Sequence, residues 1–186
     1  MAYWLMKSEP DVYSIDHLRS EKRKTDHWDG IRNYQARNFM RDQMQKGDLA
    51  FFYHSNCAEP AVVGVMEIVS EAYPDHTAFD SQEKYFDAGS DPDNPRWVMV
   101  DVKFKKKFKT PVTLADIKAQ KKLSDMRLVQ RGNRLSILPV TPVEWRHILK
   151  MAGESGGVIE RFGACRIPKS SSGFLLYFHL SAAWVL

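Results

Sequence analysis

Gly47-Asp48-Leu49-Ala50-Phe51-Phe52-Tyr53-His54-Ser55 is the stretch on which the fold turns. A glycine-led turn opens it, and the apolar and aromatic run Leu49 to His54 reads as a strand. Upstream, Tyr34 to Met44 has helical spacing in Phe39, Met40 and Met44, and Gly47-Asp48 ends that helix. Farther back, Tyr3 to Lys7 is a short apolar strand, and Ser14 to Arg19 a helical turn capped by Ser14 and carrying Ile15 and Leu18. Downstream, Val62 to Tyr73 and Trp97 to Phe108 are two longer strands separated by the polar loop Pro74 to Pro95. Leu114 to Leu123 is expected as a short helix, Leu135 to Val140 as a strand, and Thr141 to Lys150 as a final helix opened by Pro142 and Glu144. Strands dominate, the helices are short, and no strand-helix-strand rhythm repeats. The pattern predicts an α+β fold built on a small mixed barrel rather than a doubly wound sheet.

A chain of 186 residues, 44% hydrophobic and 27% charged, suits one self-folding globular domain. Cys57 and Cys165 are too few for a disulfide framework, and no CxxC pair or Cys/His cluster offers zinc-ligand spacing. Free thiols, no metal and no cofactor are therefore expected. Met1 to Lys7 has neither a basic leader nor an adequate apolar run, and Glu9 and Asp11 follow at once, so the expected location is cytoplasmic. The apolar run Gly173 to Leu186 falls short of the roughly 20 residues that cross a bilayer. From Met151 onward the character changes, Gly- and Ser-rich first and then apolar. Residues 1–150 are read as the domain and 151–186 as a C-terminal appendage, with a monomer expected.

The net charge of +4 is unevenly spread. From Glu59 to Asp101 ten acids face Lys84 and Arg96, whereas from Val102 to Lys150 thirteen bases face Asp116, Asp125 and Glu144. Lys103, Lys105, Lys106, Lys107 and Lys109 crowd one strand-like run with Phe104 and Phe108 between them. That mixture suits contact with phosphates; it equally suits an edge strand protected by lysines. Catalytic signatures are missing: there is no GxSxG elbow, Walker loop, dinucleotide fingerprint or HExxH pair. His54 and Cys57 are a thiol–imidazole pair only by proximity in sequence, and Asp29 near His27 reads as turn chemistry.

Aromatic and amide-bearing segments that begin or end strands stand out instead. They are Trp4 to Pro10, Trp28 to Asn38 (WDGIRNYQARN) and Gly47 to Ser55, followed by Gly64-Val65, Tyr73-Pro74-Asp75, Arg96-Trp97 and Arg134-Leu135-Ser136. Across residues 2 to 150, and in this order, they resemble the EVE domain family. The resemblance implies a PUA-like fold, a mostly antiparallel β-barrel decorated with short helices and related to ASCH and YTH domains. It also implies a non-catalytic module that reads a modified base, notably a modified cytosine in DNA, with RNA-related roles as the alternative. By the YTH comparison, Trp28 is a wall of the base pocket, with Lys7, Ser8, Asn33, Tyr34, His54 and Ser55 around the base. Arg32, Arg37 and the lysines Lys103, Lys105, Lys106 and Lys107 are the candidate phosphate contacts.

Physical magnitudes bound what such a module does. An indole face stacks on any base for about 1 to 3 kcal/mol. Burying one methyl adds only about 0.8 kcal/mol, so methyl burial alone discriminates poorly. Extracting a base from a duplex costs a few kcal/mol that phosphate contacts must offset, which predicts salt-sensitive binding. Two other classes stay open on sequence grounds: an RNA-binding accessory, recognised by preference for ribose oligonucleotides, and a nucleoside-directed enzyme using His54 and Cys57.

Overall fold

The structure is a computed structural model that describes residues 1–154. Seven strands make up its sheet: β1 (Tyr3–Ser8), β2 (Thr25–Trp28), β3 (Leu49–His54), β4 (Ala61–Ile68), β5 (Tyr73–Pro74), β6 (Val98–Thr113) and β7 (Ile137–Val140). The order is β2-β6-β4-β3-β1-β7, with β5 paired to β6 off this path. Every pairing is antiparallel except β1 with β3, which run parallel from Tyr3↔Leu49 to Ser8↔His54. Parallel neighbours need a long crossover. Here it contains α1 (Ile15–Ser20), β2 and α2 (Tyr34–Asp42); α3 (Leu114–Ala119) and α4 (Pro142–Met151) come later in the chain.

Side-chain alternation splits the core into two layers. Trp4 and Met6 of β1 and Ala50 and Phe52 of β3 pack with Ile15, Leu18, Ala36, Phe39 and Met40 from α1 and α2. Their neighbours Leu5, Leu49, Phe51 and Tyr53 face Ile117 of α3 and Trp145, Ile148 and Leu149 of α4. Both faces of the sheet are covered, which is why β3 reads as an unbroken apolar run rather than an alternating one. Each helix begins on a side-chain cap: Ser14, Asn33, Thr113 and Thr141 accept from backbone N–H groups of α1 to α4. Such caps contribute about 1 kcal/mol each.

The expected barrel requires correction. The sheet is mixed and mostly antiparallel, but no ladder joins β2 to β7, so it is open. Closure needs the first and last strands to pair along a shared seam. β2 and β7 have four residues each, and the residues flanking them line a cleft instead. The sheet nevertheless curls strongly. Trp28 of β2 meets Phe52 of β3 with ring centroids 5.2 Å apart, although β6 and β4 lie between those strands in the order.

Several boundaries also differ from expectation. β2 was not anticipated, because Thr25-Asp26-His27-Trp28 shows no apolar alternation and is held as a strand only by β6. β6 runs on to Thr113, past Pro111, because a register irregularity between Val62 and Gly64 lets the strand bend and resume pairing at Val112. At that irregularity a Cβ on Gly64 would lie 2.2 Å from the Lys106 carbonyl oxygen and from Ile15 Cδ1. Helix α4 reaches Met151, four residues are described beyond position 150, and Glu154 pairs with Lys106. The rest of the segment read as an appendage, 155–186, lies outside the described residues. No helix among the described residues is long and apolar enough to cross a membrane.

Candidate base-binding cleft

A cleft of about 540 Å³ opens between the two ends of the sheet order, a volume within the usual range of small-ligand sites. From the β1 and β7 end come Lys7 and Ser8, the Glu9–Tyr13 turn, and Arg134 and Ser136 ahead of β7. From the β2 end come Asp26 to Ile31, while Glu83, Lys84 and Tyr85 of the long loop before β6 form a further wall.

Trp28 belongs to the core and to the cleft at once. It is only 6% exposed, and it meets Phe52 and Tyr13 edge-on, at 78° and 87°. Its indole N–H has no acceptor among the described residues, and it is not among the polar atoms sealed from solvent without a partner. Tyr13 is fixed in turn: its hydroxyl donates to Asp26 Oδ2 at 2.6 Å. Burial and that hydrogen bond push the phenol far above its ordinary range. Ser8 Oγ donates to the Tyr13 carbonyl at 2.8 Å, and the Ser55 N–H and hydroxyl both donate to the Ser8 carbonyl, tying the ends of β1 and β3 together.

Lys7 is the electrostatic anomaly. Its backbone N–H bonds to the Ser136 carbonyl, yet its half-buried ammonium lines the cleft with no acid or acceptor among the described residues. Burial alone lowers its pKa. A desolvated cation without a partner among the described residues is costly, a cost that an oxygen or ring nitrogen brought against it would relieve. Asp29, directly after Trp28, is the opposite case. Burial pushes its carboxyl above the usual range, although nearby His27 works the other way.

A buried clamp positions the far wall. Asp75 is fully enclosed: Oδ2 accepts from Arg32 Nη1 at 2.7 Å and from the Gly30 N–H at 3.0 Å, and Oδ1 accepts from Thr77 N–H and hydroxyl. Arg32 also donates to the Tyr85 carbonyl from Nε, at 2.8 Å, and from Nη2. Gly30 has φ +68°, and a Cβ there would lie 2.5 Å from the Tyr85 ring. The glycine is thus needed both for its backbone conformation and for the close approach of Tyr85.

The residues expected from sequence divide accordingly. Trp28, Lys7, Ser8 and Ser55 line the cleft; Asn33, Tyr34 and His54 do not. Asn33 spends its carbonyl oxygen capping α2 at the Ala36 N–H. Tyr34 is 55% exposed and stacks on Trp97 outside the cleft. His54 Nε2 accepts from the Ile15 N–H at 3.2 Å, burial lowers its pKa, and no hydrogen bond joins it to Cys57. Of the expected phosphate contacts, Arg32 is committed to the clamp and Arg37 to the Arg96 carbonyl and Asn38. Lys105, Lys106 and Lys107 pair with Glu67, Glu154 and Asp16, while Lys103 stays exposed. Tyr13, Asp29, Tyr85 and Arg134 were not anticipated as site residues. Asp29 and Arg134 sat within segments already noted, but nothing local marks Tyr85, which reaches the site from a polar loop.

The fold and site define a class: an open, curled α+β sheet with a ligand-sized aromatic cleft at the seam where a barrel would close. The EVE domain model matches residues 2–151, and the chain belongs to the EVE domain family. It is 44% identical to human thymocyte nuclear protein 1, with 81% of this chain and 73% of that protein aligned. The crystal structure of human THYN1 protein in complex with 5-methylcytosine-containing DNA is similar with TM-score 0.79 and 43% identity, covering 84% of this chain and all of that one. A crystal structure of a Pseudomonas syringae protein is similar with TM-score 0.78 and 47% identity, over 81% of this chain and 99% of its own.

Proposed function

We propose that this chain is a non-catalytic nucleic-acid-binding module that reads a modified cytosine in DNA, held as a single extruded base in the cleft. The observation that carries the reading is that one cleft is lined by Trp28, whose indole N–H has no acceptor among the described residues, and by Lys7, a half-buried ammonium likewise lacking any acceptor among them. An apolar face beside a donor awaiting an acceptor suits a nucleobase and its flanking phosphates. The relative crystallised with 5-methylcytosine DNA, similar over 84% of this chain, supports the same ligand class. Ser8 and Ser55 act here as struts, since both hydroxyls are spent on backbone carbonyls.

Phosphate contact in this reading comes from the basic residues on the lips of the cleft, Lys84 and Arg134. Both are exposed, and Arg134 has no acidic partner among the described residues. The domain that binds is the matched segment 2–151, completed by the Lys106–Glu154 pair. The test is fluorescence anisotropy with oligonucleotides that differ only in one 5-methylcytosine. Tighter binding to the modified strand, weakened by Trp28→Ala, is expected, with nucleosides recovered unchanged after incubation. Equal affinity for both strands would remove the reading.

A further inference from the structure

Four carboxylates line the cleft among the described residues: Glu9, Asp26, Asp29 and Glu83. Glu9 and Glu83 are exposed, so water satisfies them without a ligand. Asp26 has both oxygens engaged, Oδ2 by the Tyr13 hydroxyl and Oδ1 by the His27 N–H and ring Nδ1. Asp29 is different. Its side chain is 31% exposed, and the nearest basic nitrogen, His27 Nε2, stands off at 3.9 Å, beyond hydrogen-bond reach. Its own backbone N–H acts on it as a donor, no side-chain donor bonds to it among the described residues, and burial disfavours its charge. A partly desolvated carboxylate with spare acceptor capacity gains most from a ligand that brings N–H groups.

Its position decides which N–H groups. Asp29 follows Trp28 directly and both line the cleft, so a planar ring held against the indole shares one cavity with this carboxylate. Lys7 and Asp29 both line the cleft with no ion pair between them, and a ligand with a donor on one edge and an acceptor on another serves both. Resting on the proposed base-reading function, we propose that Asp29 is the specificity-determining residue: it accepts from the exocyclic amine of an amino-pyrimidine and rejects the corresponding carbonyl. 5-Methylcytosine and thymine share ring and methyl group and differ only at this edge, where an amine and a bare ring nitrogen replace a carbonyl and an N–H. A carboxylate beside a carbonyl oxygen places two acceptors together with no proton between them.

The experiment is anisotropy competition with single strands identical except for 5-methylcytosine, unmodified cytosine or thymine at one position, which keeps duplex opening out of the comparison. The wild-type chain should prefer 5-methylcytosine to thymine by at least about tenfold, the scale of one charge-assisted hydrogen bond. In Asp29→Asn, whose amide both donates and accepts, and in Asp29→Ala, that ratio should fall to within about twofold. Circular dichroism melting accompanies both variants, and retention of the fold in either one suffices. A wild-type chain that binds the 5-methylcytosine strand but makes no distinction from thymine overturns the Asp29 assignment and leaves the reader standing. So does a folded Asp29 variant that still discriminates. A wild-type chain that binds the 5-methylcytosine and unmodified cytosine strands alike overturns the reading of the modification, while discrimination of both from thymine, lost in the Asp29 variants, still decides the Asp29 assignment.

Discussion

Two basic regions of this molecule look very different in sequence and reverse their standing in three dimensions. The run Lys103 to Lys109 is dense with positive charge, yet Lys105, Lys106 and Lys107 each reach a carboxylate brought by β4, the segment after α4 and α1. Lys7, alone in the apolar strand Tyr3–Ser8, ends half-buried in a cleft with no counter-charge among the described residues. Charge density along a chain counts formal charges, whereas a ligand meets only those the fold leaves uncompensated. The acids that neutralise β6 come from positions 16, 67 and 154, and no window of sequence contains them together with the lysines.

The contrast is tested most severely at Trp28, which lies in the core and in the cleft. Trp28→Ala should lower stability by about 3 to 5 kcal/mol, as core truncations of this size do. Binding should fall roughly five- to over a hundredfold on the fraction that remains folded. Chemical denaturation and titration of the same preparation separate the two effects; unchanged affinity in folded protein would confine Trp28 to the core.

Next in size comes the clamp that holds Tyr85. Asp75→Asn removes the charge opposite Arg32 and should cost about 3 to 5 kcal/mol, the loss typical of breaking a buried pair. Burial by itself raises the Asp75 carboxyl, but hydrogen bonds from Arg32 and Thr77 more than offset it and hold the group below its ordinary range. A carboxyl depressed in the folded state contributes stability above the unfolded value and loses it as pH falls through the folded one. The wild-type protein should therefore lose stability on the acid side of the ordinary aspartate range, with a shallower acid limb in Asp75→Asn. Parallel limbs would detach the clamp from acid stability.

Lys7→Met keeps the aliphatic stem and deletes the ammonium. Affinity for oligonucleotide should drop about tenfold or more while the melting temperature holds or rises, because a half-buried charge with no partner is removed. A stability loss without a binding loss would make Lys7 a structural residue.

The smallest effect is expected where the sequence is most basic. Replacing Lys105, Lys106 and Lys107 by Gln should leave affinity within about twofold and the salt slope unchanged, since these heads are already paired. Stability should change by at most about 1 kcal/mol for the exposed Lys107–Asp16 pair and by more for the partly buried pairs of Lys105 and Lys106. A slope shallower by about 0.9 for each lost contact would return phosphate binding to this strand.

Local physics was enough for much of the architecture. Ser14 marks a helix start because a short polar side chain followed by a periodic apolar face has few other uses, and Asn33, Thr113 and Thr141 take the same role in the structure. β3 and β1 are legible because strands covered on both faces must be apolar throughout. The same reasoning loses β2, whose four mixed residues become a strand only through pairing with β6. It misplaces Asn33, where one side chain satisfies either of two signals, a helix cap or a base-edge reader, and the fold uses it as the cap.

What the sequence by itself determined is most of the longer elements, the cap at Ser14, and, through the segments Trp4–Pro10, Trp28–Asn38 and Gly47–Ser55, membership of the EVE domain family; Trp28, singled out there, lines the cleft. What only the tertiary structure decided is the open seam and the inventory of charges around it: which lysines are spent, that the Lys7 and Asp29 side chains have no side-chain hydrogen-bond partner among the described residues, and that Tyr85 arrives from a loop more than fifty residues after Trp28. The reason is physical. Secondary structure and caps rest on interactions within a few residues, which a sequence window contains. Desolvation and ion pairing depend on which distant groups the fold brings within a few ångströms.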